Sequence, residues 1–241
     1  MRLARAWTDD GVVTGEYVDG TIVTDDDRYD VCAGSADLLA PTEPTALYCV
    51  GRNYAATLDQ MDYDRPEDPD FFIKPPAAVL PPETDIPYPA FSEEVTYAGE
   101  LAAVIGERAK HVDPAEVPDV VRGYTIMNDV DALDQPGRTA RKAFDGSAPL
   151  GPWLETDIDP HGIEMYTDVD GERRQAASTD QMLFDPNEVV AFLSDRVTLE
   201  PGDVIAFGSP ANPGTIEPGD TVEITYEGIG TLRNGVAEPR R

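Results

Sequence analysis

The chain has 241 residues, 41% of them hydrophobic, and carries 47 Asp and Glu against 18 Lys and Arg, a formal net charge of −29. That length suits one large domain, or a large one with a small appendage. So acidic a chain repels phosphates, which excludes nucleic acid and anionic membranes as partners, and no run of about 18 apolar residues is present to span a bilayer.

The acidic excess is spread along the whole sequence, and Lys occurs only at positions 74, 110 and 142. This pattern is expected of a protein adapted to a high-salt cytoplasm, where a Debye length of about 3 Å in molar salt screens the self-repulsion. Met1–Trp7 contains no apolar core of signal length, so a soluble cytoplasmic protein is expected. Cys32 and Cys49 sit among apolar neighbours and read as buried free thiols.

In chain order, residues 1 to about 23 read as short strands with turns at Gly11 and Asp19-Gly20. Ser35–Ala40 reads as a short helix, and Pro41 and Pro44 then mark a boundary between a small N-terminal β lobe, 1–44, and a main body, 45–241. The body opens with a strand, Ala46–Val50, then a helix, Asn53–Met61. A polar loop follows over Asp62–Asp70, then a strand, Phe71–Lys74, and a Pro-rich connection, Pro81–Pro89. Strands are expected at Glu100–Ile105, Gly123–Asp129, Gly151–Glu155 and Ile163–Val169, the last turning at Asp170-Gly171 into Glu172–Gln175. An amphipathic helix spans Asn187–Asp195 with Val189, Val190, Phe192 and Leu193 inward. Strands return at Val204–Gly208, Thr221–Tyr226 and Thr231–Asn234, two of them fed by the turns Pro201-Gly202-Asp203 and Pro218-Gly219-Asp220. The tally is a mixed α+β fold, mostly β, without alternating βαβ units.

Two acids stand at the ends of apolar runs. Glu100 opens Leu101–Ile105, and Asp129 closes Tyr124–Asn128. Carboxylates offered from the ends of buried strands are what a hard divalent cation needs. Arg138, Arg141 and Lys142 make a basic cluster in an acidic chain, a suitable anchor for a carboxylate. His111 and His161 are the only histidines and lie in loop-like segments with Asp and Pro nearby. That leaves no histidine for a nucleophilic triad or a zinc site.

The order of several short motifs resembles the fumarylacetoacetate hydrolase family. They are Val50-Gly51-Arg52-Asn53-Tyr54, Phe72-Ile73-Lys74-Pro75-Pro76, Tyr97 to Gly106, Gly123 to Asp129, Pro149 to Trp153, Gly171 to Gln175, Leu199 to Asp203, Gly208-Ser209-Pro210, and Pro218-Gly219-Asp220 with Gly228-Ile229-Gly230. The resemblance implies a β-sandwich roll, a homodimer, a Mg²⁺ or Mn²⁺ site, and reactions on small 2-oxo or β-dicarbonyl acids through a metal-stabilised enolate: C–C hydrolysis, decarboxylation or tautomerisation.

Carried over by position, the resemblance makes Glu100 and Asp129 metal ligands, with Ala98 where the family has a further Glu. Asp131 and Asp134 are candidates to supply the missing charge. Lys142 is retained as the catalytic, substrate-reaching lysine, and Ser209 keeps a substrate-facing hydroxyl. Tyr54 and Gln175 either touch substrate or scaffold the site. Lys74 either lines the pocket or is a structural ion-pair partner. Thr57 and Gln60 occupy the family's water-activating His and Glu positions, and neither is a general base near neutral pH. Leu133 replaces a substrate-contacting Arg. Two functions follow: an enzyme of enolate chemistry on a small carboxylate substrate, or a catalytically impaired homologue that binds a ligand or assembles with a partner.

Overall fold

A computed structural model describes residues 1–240. The chain is built on a long, mostly antiparallel sheet. From one edge its strands run Arg28–Asp30, Thr21–Val23, Gly11–Val18, Arg2–Thr8, Ala148–Glu155, Val121–Asn128, Gly99–Ile105, Val204–Ala206, Leu47–Gly51 and Asp70–Lys74. A second sheet of Glu172–Ser178, Glu164–Val169, Thr221–Tyr226, Gly230–Arg240 and Ile86–Pro89 packs across it. This is the mostly β, two-sheet roll the sequence suggested.

Gly99–Ile105 is buried along its whole length. Its side chains alternate between two cores, as a strand covered on both faces requires. Leu101, Ala103 and Ile105 point to the core shared with the second sheet, while Ala102 and Val104 join Leu47, Cys49, Met127 and Leu150 on the other face. Gly99 is fixed by packing: a Cβ there would stand 2.7 Å from Thr167 Oγ1 and 2.9 Å from Ile224. Only glycine lets the strand bearing Glu100 lie this close to the second sheet.

Residues 1–44 extend the same sheet, reaching the body where Arg2 and Leu3 pair with Glu155 and Leu154. They close a small core of Ala4, Ala6, Ile22 and Ala36. Asp37–Leu39 is a strand, not the expected helix: it pairs antiparallel with Arg5–Trp7, and a paired edge outweighs the helix propensity of Ala and Leu. Cys32 is exposed, contrary to expectation, while Cys49 is buried. The Pro-rich connection contains the strand Ile86–Pro89, which lies at the edge of its sheet, where the missing proline N–H costs no ladder bond.

The amphipathic helix spans Pro186–Arg196. Asp185 caps it by accepting from the backbone N–H groups of Asn187 and Glu188, and Glu188 reaches back to the Asp185 N–H. Val189, Val190 and Leu193 are buried; Phe192 is only half-buried and meets Phe71 edge-on, centroids 6.3 Å apart. Among the described residues no helix is long and apolar enough to cross a membrane.

A net charge of −29 on one folded unit destabilises it through self-repulsion that salt relieves. Thermal melts in KCl from about 0.1 to 2 M should show a continuous rise in Tm; a flat or falling Tm would contradict the salt-adapted reading of the composition.

Candidate active site

The Gly99–Ile105 and Val121–Asn128 strands pair with Glu100 opposite Met127 and Gly99 opposite Asn128. Asp129 follows directly, its N–H donating to the Ala98 carbonyl at 2.9 Å. The two-residue side-chain period therefore puts Ala98, Glu100 and Asp129 on one face. Asn128, on the other side of the pleat, pins the edge through its Oδ1, which accepts from the Ala98 N–H at 3.0 Å. The edge strand Asp70–Lys74, separated from Gly99–Ile105 by two strands, turns Asp70, Phe72 and Lys74 to a common face, and the short helix Arg138–Lys142 lies over it.

Asp129 is the hub. Lys74, fully buried, places Nζ 2.9 Å from Asp129 Oδ1. Its three N–H groups donate to the carbonyls of Val130, Lys142 and Ser147 at 2.8–2.9 Å, so its contact with Asp129 is an ion pair rather than a fourth hydrogen bond. Of the two roles open to Lys74, these surroundings favour the structural one. Burial pulls Lys74 below its usual pKa, and Asp129 opposes that fall.

Lys142 Nζ sits on the other oxygen of Asp129 and 3.0 Å from Asp131 Oδ2. Burial opposes its charge, but Asp129 and Asp131 together hold its pKa above the ordinary lysine value. Burial likewise works against the Asp129 charge, and Lys142 and Lys74 overcome it, holding that carboxyl below its usual range. Asp131 is also gripped by Arg141 through two hydrogen bonds, Nε to Oδ1 at 2.8 Å and Nη2 to Oδ2 at 2.5 Å. It is brought to the site as a counterion for Arg141 and Lys142.

Glu100 is 3% exposed and accepts one hydrogen bond, from the Gly208 N–H at 3.0 Å. No cation pairs with it among the described residues. Burial and the charge of Asp129 push its carboxyl up to about 8. The Gly208 that serves it has φ +90° and sits where a Cβ would meet the Val50 carbonyl at 2.9 Å, a position only glycine fills without strain.

Gln175 ties this turn to the strand. Its Oε1 accepts from the Gly99 N–H and Thr167 Oγ1, while Nε2 donates to Ser209 Oγ and to the carbonyls of Pro210 and Ala211 at 3.0–3.2 Å. Tyr54, 1% exposed, lies in the core close enough for Glu100 to raise its phenol further, after burial. Gln175 and Tyr54 thus surround the site as its frame. Ser209, on the turn, donates a long hydrogen bond to the Pro210 carbonyl at 3.4 Å.

The replaced family positions have taken structural work. Thr57 Oγ1 donates to the Ser209 carbonyl at 3.0 Å, and Gln60 Oε1 accepts from the Asn212 N–H at 2.8 Å, tethering the Ala55–Met61 helix to the Ser209 loop. Asp134 is engaged by Ser92 Oγ, the Glu93 N–H and Gln135, which order a turn away from Glu100. Leu133 is exposed. His111 and His161 pair on the surface with Asp195 and Asp159. Sequence reading missed two members of the neighbourhood: Asp70, which takes Arg138 in a two-pronged pair at 2.8 and 2.7 Å, and Arg52, 3.7 Å from the same carboxylate. The only signal was the break from the polar loop into the Phe71 strand.

Two carboxylates, Glu100 and Asp129, share the face where an ion would sit; among the described residues no cluster of three or more His, Cys, Asp or Glu side chains is placed to hold one. Mg²⁺ takes one or two carboxylates and fills its shell with water and substrate oxygens. A buried Glu100 with no cationic partner is the donor such an ion would relieve. The set fits an ion held weakly, with most of its positions open.

Residues 46–237 match the family described as fumarylacetoacetate (FAA) hydrolase C-terminal. The chain is 37% identical over 215 residues to oxaloacetate tautomerase FAHD2B, mitochondrial, of Bos taurus, covering 82% of this chain and 68% of that protein. It superimposes on the crystal structure of 5-carboxymethyl-2-hydroxymuconate delta-isomerase from Mycobacterium smegmatis with a TM-score of 0.92 at 40% identity over 100% of both chains. Maleylpyruvate hydrolase from Sphingobium sp. SYK-6, solved with manganese(II) and pyruvate, gives a TM-score of 0.85 at 27% identity, again over 100% of both chains.

Two outcomes follow from the buried charges. Lys74→Met leaves Asp129 Oδ1 without its cation and should cost about 3–5 kcal/mol in urea unfolding, most of it recovered when Asp129→Asn is added; no loss would mean the pair carries no stability. Glu100 has a folded pKa of about 8 against an ordinary 4.5. Between those values the folded metal-free protein keeps a proton that the unfolded chain has released, so stability falls as pH rises through the window. Stability of Glu100→Gln, followed by denaturant midpoints from pH 5 to 9, should lack that fall; parallel curves for the two proteins would refute the assignment.

Proposed function

Because the chain belongs to the fumarylacetoacetate hydrolase family, we propose that it is an enzyme acting on a small 2-oxo or β-dicarbonyl acid. In this reading it performs enolate-type proton transfer, tautomerisation or decarboxylation, rather than hydrolysis. The observation that carries the reading is the fate of Thr57 and Gln60. Both are hydrogen-bonded into the Ser209 loop, and neither side chain can take a proton from water near neutral pH. The ionised Lys142 and the buried pair Glu100 and Asp129 remain in place beneath.

Glu100 and Asp129 would hold Mg²⁺ or Mn²⁺, which when bound neutralises charge developing on the substrate's oxygen. Lys142 is the group suited to meet the substrate carboxylate: its ammonium rests on carboxylates alone, and a substrate carboxylate is a like-for-like replacement. Ser209, oriented by Gln175, offers an O–H to the same end of the substrate. Lys74 stays as a counter-charge beside Asp129 if Lys142 leaves it. The similar proteins include a tautomerase and an isomerase, in line with proton transfer, beside a hydrolase.

A second reading, a homologue that binds a carboxylate without turnover, is favoured by one observation: Ala98 puts a methyl on the face shared by Glu100 and Asp129. One series separates the two. With Mn²⁺ and oxaloacetate, keto–enol conversion followed by ultraviolet absorbance should be accelerated by the native chain and should drop at least about 100-fold in Lys142→Met. Ala98→Glu should tighten Mn²⁺ binding by about tenfold or more. Binding without acceleration would establish the silent homologue; unchanged Mn²⁺ affinity in Ala98→Glu would remove Glu100 and Asp129 as ligands.

A further inference from the structure

The side of the site away from Glu100 is lined by guanidinium groups, an unusual concentration in a chain with 47 acids and 18 Lys and Arg. Arg138 and Arg52 share one carboxylate, Asp70: Arg138 through two hydrogen bonds, Arg52 at 3.7 Å through Nε, beyond hydrogen-bonding reach. Arg138 and Lys142 stand over the same Phe72 ring, 5.4 and 5.0 Å from its centre. Lys142 and Arg141 in turn share Asp131. An unbroken chain of contacts therefore runs from Lys142 outward to Arg52.

Cations along this chain outnumber anions: Lys74, Lys142, Arg141, Arg138 and Arg52 form ion pairs with Asp129, Asp131 and Asp70 alone. Arg138 leaves Nε unused, Arg141 leaves Nη1 unused, and no side-chain or backbone acceptor engages Arg52 among the described residues. The Arg52 and Arg138 side chains are 42% and 37% exposed, against 14% for Lys142, so the unused donors are open to solvent.

Arg52 is also held at φ +59°, left-handed backbone that disfavours a long side chain. Its guanidinium is fixed over the Tyr63 ring at 4.3 Å. A strained residue persists where its surroundings over-determine it, and such positions cluster at ligand clamps.

We propose that Arg52 and Arg138, seated on Asp70, form a second anion subsite that selects substrates bearing a carboxylate distal to the 2-oxo acid group held at Lys142. Guanidinium groups suit this task because their planar N–H pairs match a carboxylate and cannot lose their charge. Partial exposure keeps the desolvation cost of a second charge low. The subsite rests on the reading of Lys142 as the anchor of the first carboxylate.

The test compares binding by calorimetry of pyruvate, which has one carboxylate, with oxaloacetate, 2-oxoglutarate and 2-oxoadipate, which have two at increasing separation, all at one salt concentration with Mg²⁺ present. At least one dicarboxylate should bind about tenfold or more tightly than pyruvate. In Arg138→Gln and in Arg52→Gln/Arg138→Gln that ratio should fall to within about twofold, with Arg138→Lys recovering part of it. Arg52→Gln alone removes an exposed side chain with no hydrogen-bond partner, so it supplies a folded variant if the double change does not fold; it should narrow the ratio by itself. Pyruvate and every dicarboxylate binding equally well to the native chain, or a ratio that survives all the variants, would overturn the subsite and leave the proposed function standing. No binding of any 2-oxo acid would overturn both.

Discussion

A single buried carboxylate, Asp129, organises this protein. Burial makes its charge costly, and the chain answers with Lys74, an ammonium 0% exposed and tethered to three backbone carbonyls. Those carbonyls belong to the segment after Asp129, to the end of the Arg138–Lys142 helix and to the residue before the Ala148–Glu155 strand, so one lysine locks three pieces of chain around one acid. Lys142 is different in kind. Its Nζ touches carboxylates only, which makes it the cation an incoming anion can recruit without breaking the fold. Two lysines of different surroundings, one tethered to backbone carbonyls and one held by carboxylates, thus meet on the same Asp129 side chain.

The neighbouring Glu100 completes the picture by lacking what Asp129 has. It lies on the same face, accepts one backbone N–H, and has no cation of its own. In a family whose solved members include one bound to manganese(II) and pyruvate, such an acid is the natural place for an added positive charge. In the proposed reading, Ala98 would leave a bound ion with fewer protein ligands and more of its coordination to water and substrate. Around the two acids, Thr57 and Gln60 fasten a helix to the Ser209 loop, and Asp131 balances Arg141 and Lys142.

Much of this was legible in the sequence because it is local or periodic. The apolar runs that Glu100 and Asp129 terminate are strands, and the period of two puts both acids on one face once the strands pair. The helix at Pro186–Arg196 follows from its apolar spacing. What stayed hidden depends on distant partners. Asp70 meets Arg138 across 68 residues of chain, and nothing near either predicts it. Ser35–Ala40 has helical composition, yet an edge offered by Arg5–Trp7 makes it a strand. Lys74 left two roles open because its burial is decided by the helix and turn that close over it. Thr57 and Gln60 looked like losses, because sequence shows which chemistry a residue lacks but not which hydrogen bond it has gained.

The most direct test is a crystal of the native chain soaked with Mn²⁺ and pyruvate, read by anomalous scattering. A manganese peak between Glu100 and Asp129, with Lys142 Nζ withdrawn from Asp129 onto the pyruvate carboxylate and Lys74 unmoved, is the result this account predicts. Clear pyruvate density elsewhere, no peak at the two acids and Lys142 still seated on Asp129 would contradict it.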